Sequence, residues 1–371
     1  MSVPRHLTDA ERLAWLRLIR TENIGPRTFA GLMQRFGTAN AALDAIPALA
    51  RKGGGAPRIC SIADAEREFQ ALGRLGGRLI ALGEADYPLA LASADAPPPL
   101  LTVLGASDCL TRPMIGIVGA RNASAAGRTF ATRLAQELGE TGLVIASGLA
   151  RGIDTAAHQA SLTTGTVAVL AGGLTRIYPA ENESLLREIV ATGGAAVSEM
   201  PLGWEPRARD FPRRNRIIAG LSRGVVVVEA ALRSGSLITA RLANEMGREV
   251  MAAPGSPLDP RCEGSNRLLR DGATLITSSE HVLEAIEPSL RWSQPSLDLF
   301  PLAEEAEPSA ESGGEDAVRA QILDLLGPSP AHVDSIVRLS KAPARSVQLV
   351  LLELELAGRL ERHAGGRVSL M

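Results

Sequence analysis

The sequence predicts an α/β fold in which a doubly wound parallel sheet occupies the middle of the chain. Between residues 114 and 286, seven short apolar runs alternate with polar segments of helical length, such as 126–140 and 236–247. The runs are MIGIVGA, LVIASG, TVAVLAGG, AAVSEM, GVVVVEA, EVMAAPG and ATLIT. Strands of a parallel sheet are buried on both faces, so they are nearly continuous apolar runs. Alternation of such strands with helices is typical of a doubly wound sheet.

The segments before this region predict a small helical domain followed by a loop-rich stretch. Residues 9–45 contain short helices that are interrupted at residues 23–26 and again at Gly37. Residues 51–57 (RKGGGAP) predict a flexible joint, and residues 83–113 are rich in proline, alanine and loop signals. We therefore assign residues 1–80 to an N-terminal helical domain and residues 84–290 to the α/β domain.

The segments after the α/β region predict a linker and a winged helix. Residues 292–318 hold seven acidic residues and no basic one, with prolines and a glycine pair, so residues 291–314 are interpreted as a flexible acidic linker. Residues 315–371 predict three helices, at 316–326, 332–340 and 343–357, and a hairpin that turns at Gly365 and Gly366. Basic and acidic residues cancel in this domain, so DNA contact, protein contact and a structural role all stay open.

The composition excludes several classes of protein. Of 371 residues, 45% are apolar and 22% are charged, as in an ordinary globular protein of two or three domains. No apolar run is long enough to span a membrane, and the N-terminus lacks the apolar core of a signal peptide. Cys60, Cys109 and Cys262 are scattered, so neither a disulfide framework nor a metal site is predicted, and a cytoplasmic location is expected. The net charge of −2 does not by itself indicate a nucleic-acid binder.

The end of the first strand, IVGARNASAAG, argues against a dinucleotide cofactor. A dinucleotide loop has the pattern G-x-G-x-x-G, and here Gly119 is followed by Arg121 at the second glycine position. A side chain there blocks close approach of a pyrophosphate to the backbone. Instead, Arg121 places a guanidinium beside a helix N-terminus that already favours anions. A capping or salt-bridging arginine is the alternative.

The next two strands end in segments that could face the same sheet edge. In SGLARGIDTAAH, Ser147 and Gly148 end the strand and Arg151 follows, while Asp154 and His158 share a helix face at i and i+4. That pair suggests an acid–base hypothesis, against a cap aspartate and a packed histidine. In AGGLTRIYPAEN, Gly172 and Gly173 permit a tight turn that could admit a phosphate, and Tyr178 is one of the few aromatic residues nearby.

The segment RARDFPRRNR, residues 207–216, has the strongest local charge. It carries five arginines and one aspartate around Phe211, a net charge of +4. Arginines neutralise phosphates and an aromatic ring stacks on a base, which is what a sequence-tolerant site for single strands needs. We predict that Arg213 and Arg216 lie on the exposed face of a helix whose buried side carries Ile217 and Ile218. A solvated charged face is the alternative.

The strand GVVVVEA leads into another anion-receptive helix start. Ser234, Gly235 and Ser236 precede a helix, where backbone N–H groups and hydroxyls can bind anions. Thr239 keeps the first turn slim. Glu229 at the strand end could be catalytic, but its basic neighbours favour a salt bridge.

Taken together, these segments resemble one known family. IVGAR, SGLARGIDTAAH, AGGLTRIYP, FPRRNRIIAGLS, SGSLITA and EGSNRLLRDGA occur in the order and at the spacings found in the Rossmann-like domain of the DprA family, also called Smf. The resemblance covers roughly residues 84–286. NIGPRTFAGLMQRFG also resembles the family's N-terminal helical domain, of helix-hairpin-helix or SAM-like type, and residues 315–371 resemble its winged helix.

The resemblance implies a non-enzymatic protein that binds single-stranded DNA. Family members dimerise through the Rossmann-like domain and load RecA recombinase onto strands held by single-strand-binding protein. Arg121 matches a family arginine that grips phosphate, and Phe211 with the adjoining arginines matches its pocket for backbone and base. Which arginine of residues 207–216 is the main phosphate contact stays open. We predict no catalytic residue, metal or cofactor. The predicted DNA-binding residues are Gly119, Arg121, Ser147, Gly148, Arg151, Gly172, Gly173, Arg207, Arg209, Phe211, Arg213, Arg214, Asn215, Arg216, Ser234, Gly235 and Ser236, supported by Asp154, His158, Tyr178, Glu229 and Thr239.

Two other functions remain as alternatives. The first is a nucleotide phosphoribohydrolase of the LOG type, from the same superfamily, whose PGGxGTxxE motif carries a catalytic glutamate. The corresponding stretch here, residues 234–239, lacks that glutamate, which favours binding over catalysis. The second is a nucleotide sensor joined to a winged-helix repressor, which the neutral winged helix and the absence of a ribose-binding acid disfavour.

Overall fold

The computed structural model describes residues 6–291, 315–363 and 365–371. Within these residues the chain forms two compact units. One contains residues 6–7 and 67–291, and the other combines residues 8–66 with the described residues of 315–371. The predicted linker, residues 291–314, lies outside the described residues except for Arg291. The predicted domain boundaries near residues 80 and 84 stay a prediction.

The described elements comprise helices and strands in the following order along the chain. The helices are α1 (Asp9–Arg20), α2 (Pro26–Phe36), α3 (Ala39–Gly53), α4 (Ile62–Arg74), α5 (Leu89–Ala92), α6 (Asp108–Thr111), α7 (Ala125–Glu140), α8 (Ile153–Ala160), α9 (Glu183–Ala191), α10 (Asp210–Leu221), α11 (Gly235–Glu245), α12 (Glu263–Arg270), α13 (Ser279–Arg291), α14 (Glu315–Asp324), α15 (Val333–Ser340) and α16 (Ala344–Leu356). The strands are β1 (Gly77–Ala81), β2 (Leu100–Gly105), β3 (Met114–Val118), β4 (Val144–Ser147), β5 (Thr166–Val169), β6 (Ala195–Ser198), β7 (Gly224–Val227), β8 (Glu249–Ala252), β9 (Thr274–Leu275), β10 (Ala331–His332), β11 (Leu360–His363) and β12 (Arg367–Leu370).

The seven predicted strands form the parallel part of a nine-stranded sheet. The spatial order is β1-β2-β6-β5-β4-β3-β7-β8-β9, and β3 to β9 pair in parallel. The chain first builds outward from β3 to β6 and then returns to the other side of β3 with β7, which is the doubly wound arrangement. The predicted fold class is therefore confirmed.

Two antiparallel strands extend this sheet beyond the prediction. β2 pairs antiparallel with β6, and β1 pairs antiparallel with β2. Residues 83–113 were predicted to be loop-rich, and that prediction is wrong for β2. Prolines at 97–99 suggested a loop, whereas the apolar run LLTVLG directly after them is almost wholly buried and enters the sheet.

Apolar side chains on one face of the sheet pack against α7, α8 and α13. Ile115 and Ile117 of β3 are fully buried, in one cluster with Leu134 and Leu138 of α7. Removal of so many apolar atoms from water is the main stabilising contribution to the unit. The packing fixes the carboxyl ends of β3 and β4 relative to the helices that follow them.

The N-terminal helices of the other unit begin with a capping box. The Thr8 hydroxyl accepts a hydrogen bond from the backbone N–H of Glu11, and the Glu11 carboxylate accepts one from the backbone N–H of Thr8. These bonds satisfy N–H groups that a helix start otherwise leaves unpaired. The rings of Trp15 and Phe29 pack edge to face, with centroids 5.0 Å apart, and join α1 to α2.

The C-terminal region forms the predicted three helices and hairpin. α14, α15 and α16 enclose a core that includes Ile336, Val347 and Leu351. β11 and β12 form the hairpin, and β10 adds a third strand in the order β10-β12-β11. This is the architecture of a winged helix.

The N-terminal helices and the winged helix pack against each other within one unit. A Cβ atom at Gly53, the last residue of α3, would lie 2.0 Å from the carbonyl oxygen of Glu353 in α16. The Asn23 amide donates to the carbonyl of Leu356 at 3.1 Å, and Arg359 donates to the carbonyl of Gly53 at 3.3 Å. Arg319 pairs with the buried Glu353 and donates to a carbonyl at the end of α3. This contact was not predicted from the sequence.

No helix in the described part of the chain has both the length and the apolar character needed to cross a membrane.

Candidate nucleic-acid interface

A cavity of about 570 Å³ lies at the carboxyl-terminal edge of the parallel strands. Segments that follow β3, β4 and β5 form its walls, and the first turns of α10 complete it. In open α/β sheets, ligands bind in the crevice outside the carboxyl ends of the strands. The lining residues are Arg121, Asn122, Arg128, Gly148, Ala150, Arg151, Gly152, Thr155, Ala156, Gln159, Tyr178, Pro179, Glu181, Asn182, Phe211 and Arg214.

Three predicted residues meet at one wall of the cavity. The guanidinium carbon of Arg121 lies 5.4 Å from the centre of the Phe211 ring. The Phe211 ring in turn packs edge to face against Tyr178, with centroids 5.4 Å apart. Arg121 is exposed, and Tyr178 is 52% exposed. A cation and two rings that reach solvent side by side offer both a phosphate contact and a stacking surface.

Two glycines hold the loop that carries Arg121. Gly152 has φ +77°, and a Cβ there would lie 2.3 Å from the carbonyl oxygen of Ala120. A Cβ at Gly119 would lie 2.6 Å from the side chain of Ile153. Only glycine allows the loops after β3 and β4 to approach so closely. Gly119 was predicted to contact DNA, but the structure gives it this packing role because its missing side chain faces Ile153.

Arg214 forms the floor of the cavity. It is only 6% exposed, and it donates to the carbonyls of Gly148 and Val169, at the ends of β4 and β5, and to the Asn215 side chain. Burial lowers the pKa of Arg214 to about 10, partly offset by the nearby Asp154 carboxylate. Asp154 accepts the backbone N–H groups of Gly148 and Ala150. Arg214 therefore joins two strand ends and leaves a positive charge beneath the cavity.

Arg151 and Glu181 form an exposed ion pair at the cavity wall. Nη2 of Arg151 donates to one Glu181 oxygen at 2.7 Å, and Nε donates to the other at 2.5 Å. The two side chains are 60% and 52% exposed. Glu181 raises the pKa of Arg151 by hydrogen bonding and by its charge. The fork of Arg151 is thus occupied by a carboxylate of the same chain.

The cavity carries a net positive charge. Of the described residues that line it, four are arginines, at 121, 128, 151 and 214, and one is a carboxylate, Glu181. No described carboxylate forms an ion pair with Arg121 or Arg128. The exposed guanidinium groups here are therefore available to an anionic ligand such as a phosphodiester backbone.

The structure divides the arginine segment among different partners. Arg213 and Arg216 both pair with Glu199, so two guanidinium groups share one carboxylate, and neither arginine lines the cavity. Their contact with phosphate stays a prediction. The guanidinium carbon of Arg207 lies 4.8 Å from the centre of the Trp204 ring, and Arg209 is exposed, but neither lines the cavity. Asn215 is buried and donates to the carbonyl of Gly235. Only Phe211 and Arg214 of this segment line the cavity.

The predicted glycine turn after β5 and the helix start after β7 lie outside the cavity lining. A Cβ at Gly173 would lie 2.1 Å from the carbonyl oxygen of Pro201, and one at Gly172 would lie 2.9 Å from that of Trp204. These glycines make room for the loop after β6. The predicted phosphate contact at this turn stays a prediction. Ser234 caps α11 by accepting the N–H of Ser236, whose side chain is buried, and the Gly235 carbonyl is used by Asn215.

The proposed acid–base pair is not formed. Nδ1 of His158 hydrogen-bonds the hydroxyl of Thr166 at 2.7 Å, whereas Asp154 accepts backbone N–H groups. The Thr166 hydroxyl also lies 2.9 Å from the Ile145 carbonyl oxygen. His158 is fully buried, and burial together with the charge of Arg214 lowers its pKa to about 3. The i, i+4 spacing alone did not reveal these other partners.

Three further predicted residues have structural roles. Glu229 accepts the backbone N–H of Ser124 at 2.9 Å and its hydroxyl at 2.5 Å, so it fixes the start of α7 instead of forming the predicted salt bridge. The Ser147 hydroxyl is fully buried and donates to the Ile117 carbonyl, so this side chain joins β4 to β3. Thr239 is buried in the first turns of α11, as the prediction of a slim turn requires.

Several lining residues were not predicted from the sequence. Arg128, Asn122 and Gln159 project from α7, the loop before it and α8. Their positions depend on how helices pack at the sheet edge, which no local pattern reports. Glu181 follows Tyr178 in AGGLTRIYPAEN, and its place beside Arg151 could be inferred only from the order of β4 and β5 in the sheet.

Three family models match the chain. The model of the DNA recombination-mediator protein A matches residues 78–287. A DprA-like N-terminal HHH domain matches residues 9–71, and a DprA winged helix domain matches residues 304–366. The chain belongs to the DprA family. The resemblance seen in the sequence is thus confirmed.

Curated relatives agree with this DprA assignment. Protein Smf of Escherichia coli K12 is 41% identical over 289 residues, which cover 76% of this chain and 75% of that protein. The DNA processing protein DprA of Streptococcus pneumoniae R6 is 45% identical over 203 residues, covering 54% of this chain and 71% of that protein.

Solved DprA structures share the fold of this chain. DprA from Streptococcus pneumoniae aligns with a TM-score of 0.55 at 41% identity, covering 60% of this chain and 77% of that one. DprA from Helicobacter pylori, described for its mode of binding single-stranded DNA, aligns with a TM-score of 0.52 at 28% identity. The alignment covers 57% of this chain and 96% of that one.

Proposed function

We propose that this DprA-family chain binds single-stranded DNA in the cavity at the strand ends, with little sequence preference. The observation that supports the proposal is the cluster of Arg121, Phe211 and Tyr178 at a wall of net positive charge. Phosphates of a single strand can bind the arginines while an unpaired base stacks on the exposed rings. The Helicobacter pylori relative, whose structure is described for binding single-stranded DNA, supports the same ligand.

We further propose the cellular role that the family resemblance implies. The chain protects incoming single strands and loads RecA recombinase onto them during recombination and natural transformation, in the cytoplasm, where single-strand-binding protein coats the DNA. It acts as a homodimer through the Rossmann-like domain. A dimer would bring two arginine-lined cavities to one strand and raise its apparent affinity through multivalency.

A gel-shift comparison of single-stranded and duplex oligonucleotides over a salt series tests the binding proposal. We expect preference for the single strand and an affinity that falls steeply with salt, because counterions are released from the DNA. Equal affinity for both forms, or an affinity independent of salt, would contradict it.

We also propose that binding occurs without catalytic turnover. His158 and Asp154 are directed to Thr166 and to backbone N–H groups, and Glu229 is bound to Ser124. The phosphoribohydrolase alternative predicts release of free base from nucleoside monophosphates. Incubation of the purified protein with these nucleotides should give no release, and release abolished by Asp154→Asn or Glu229→Gln would overturn the proposal.

A further inference from the structure

We propose that Glu181 is a built-in competitor of DNA: its carboxylate occupies the guanidinium of Arg151 in the free protein, and a DNA phosphate must displace it. The inference depends on the proposed binding of single-stranded DNA at this cavity. It assigns a role to the one carboxylate among the described lining residues, and that role sets how strongly the site binds a phosphate backbone.

The geometry of the pair supports competition because a carboxylate and a phosphate use the same donors. Nε and Nη2 of Arg151 each donate to a different oxygen of Glu181, which is the two-pronged arrangement that a guanidinium also forms with phosphate. A phosphodiester on Arg151 would need those two N–H groups. Both ligands therefore cannot occupy that face of the guanidinium at the same time.

The surroundings hold Glu181 in place beside Arg151. Glu181 belongs to a short turn, Ala180–Asn182, whose last residue is buried. The Asn182 amide donates to the carbonyl of Leu149 at 2.9 Å and to the hydroxyl of Thr155 at 3.0 Å. These bonds fasten the turn to the loop that carries Arg151, so Glu181 is positioned by the fold.

The exposure of the pair makes displacement feasible. Arg151 and Glu181 are more than half exposed, and ion pairs in water contribute little to stability. A DNA strand that already contacts Arg121 can therefore place one of its phosphates on Arg151, where it replaces the Glu181 carboxylate. The carboxylate then remains near the backbone and opposes it.

The chain offers a matched control two residues away. Glu183 is also 52% exposed and also pairs with an arginine, Arg187, but neither residue lines the cavity. Glu183→Gln therefore removes the same charge at the same exposure without freeing a cavity arginine.

The test measures binding of a fluorescently labelled oligothymidylate to the full chain at several salt concentrations. We expect Glu181→Gln to steepen the slope of log affinity against log salt by roughly 0.7, the contribution of one phosphate contact on a single strand. This difference in slope means that, between about 1 M and about 0.1 M salt, the affinity of the variant rises about fivefold more than that of the wild type. Glu183→Gln should leave slope and affinity unchanged.

Arg151→Ala, alone and combined with Glu181→Gln, separates competition from general repulsion. Arg151→Ala should weaken binding, and most of the gain from Glu181→Gln should vanish when Arg151 is absent. An equal gain in both backgrounds would show that Glu181 repels DNA without occupying Arg151, and a loss of affinity in Glu181→Gln would show that it positions Arg151. Either result overturns the inference. The proposed function still stands in both cases if the wild-type protein binds the oligonucleotide. A wild-type protein that does not bind the oligonucleotide would refute both.

Discussion

Arg121 and Phe211 lie on different elements of the sheet edge, yet the Arg121 guanidinium carbon is 5.4 Å from the centre of the Phe211 ring. Arg121 follows β3, and Phe211 begins α10. The ring supports the guanidinium through a cation–π contact and also lines the cavity. Charge and stacking surface are therefore coupled in one small cluster, and the two contributions can be separated by substitution.

Arg121→Ala should weaken binding of single-stranded DNA by about ten- to hundredfold, since a charge-assisted hydrogen bond contributes roughly 1.5–3 kcal/mol. The salt dependence of the affinity should become shallower because one phosphate contact is lost. Fluorescence anisotropy over a salt series measures both. Arg241→Ala is the matched control, because Arg241 is 68% exposed on α11 and does not line the cavity. Normal binding by Arg121→Ala would place the phosphate contact elsewhere.

Phe211→Leu should weaken binding about five- to hundredfold, because stacking contributes about 1–3 kcal/mol per base. The loss should be nearly the same at low and high salt, since no charge is removed, and this distinguishes it from the loss in Arg121→Ala. Phe211→Tyr retains a ring and should bind nearly normally. If the Phe211→Leu variant binds DNA as tightly as the wild type, the ring only fills space and no base stacks on it.

Gly53→Ala should destabilise the unit formed by the N-terminal helices and the winged helix. The new Cβ would meet the Glu353 carbonyl at 2.0 Å, and overpacking of this kind costs about 1–3 kcal/mol. Denaturant unfolding of the full chain measures the loss. In a chain lacking residues 292–371 the same substitution should be neutral or slightly stabilising, because alanine favours a helix over glycine by about 1 kcal/mol. The same loss in both chains would contradict the packing of α3 on α16.

Deletion of residues 292–371 should leave a folded α/β unit that still binds single-stranded DNA. The cavity residues all lie between residues 121 and 214, and none belongs to the winged helix. The N-terminal helices would lose the partner of α3 and should become less protected in hydrogen exchange. Loss of single-strand binding on deletion would show that the winged helix is a main DNA contact.

His158 should make the α/β unit less stable in mild acid. Its pKa is lowered to about 3 in the folded protein, whereas an unfolded histidine has a pKa of about 6.5. As the pH falls below about 6.5, the unfolded chain takes up a proton that the folded chain does not, so the free energy of unfolding decreases. The expected loss is roughly 2 kcal/mol at about pH 5.

Denaturant unfolding of wild type and His158→Asn at several pH values isolates this effect. The comparison uses the pH dependence rather than the absolute stability, because the substitution also changes packing. Burial raises the pKa of Asp154, which acts in the opposite direction, but Asp154 is present in both proteins. Equal pH dependence in the two proteins would contradict the buried neutral histidine.

Much of the fold could be predicted from the sequence because a strand that is buried on both faces is an almost continuous run of apolar residues. β3 to β7 are buried throughout and follow from such runs, and Arg121 follows from its place at the end of β3. β8 and β9 also follow from apolar runs, although β9 is an exposed edge strand. β1 and β2 could not be predicted in this way, because the residues around them carry loop signals. In addition, β2 pairs with β6, which lies far along the chain.

The cavity itself could be predicted only in part, because charge in sequence does not reveal its partners in space. Arg213 and Arg214 are neighbours, but one binds Glu199 at the surface and the other is buried against strand-end carbonyls. Glu199 follows β6 and lies well before α10, so no local spacing connects it with the arginines. Of the segment that carries the +4 charge, Phe211 and Arg214 line the cavity, and the other predicted DNA contacts stay a prediction.

The contact between α3 and α16 has a consequence for how the chain is made. Arg359 and its acceptor Gly53 are separated by 306 positions. At about 5–20 residues per second, a ribosome needs roughly 15–60 s to supply the second partner after the first has emerged. The residues of the α/β unit are synthesised before α16, so this unit can fold during that interval. Gly53 of α3 is not yet covered by α16 during the same time. The helices α1 to α3 are therefore complete well before they reach their final packing.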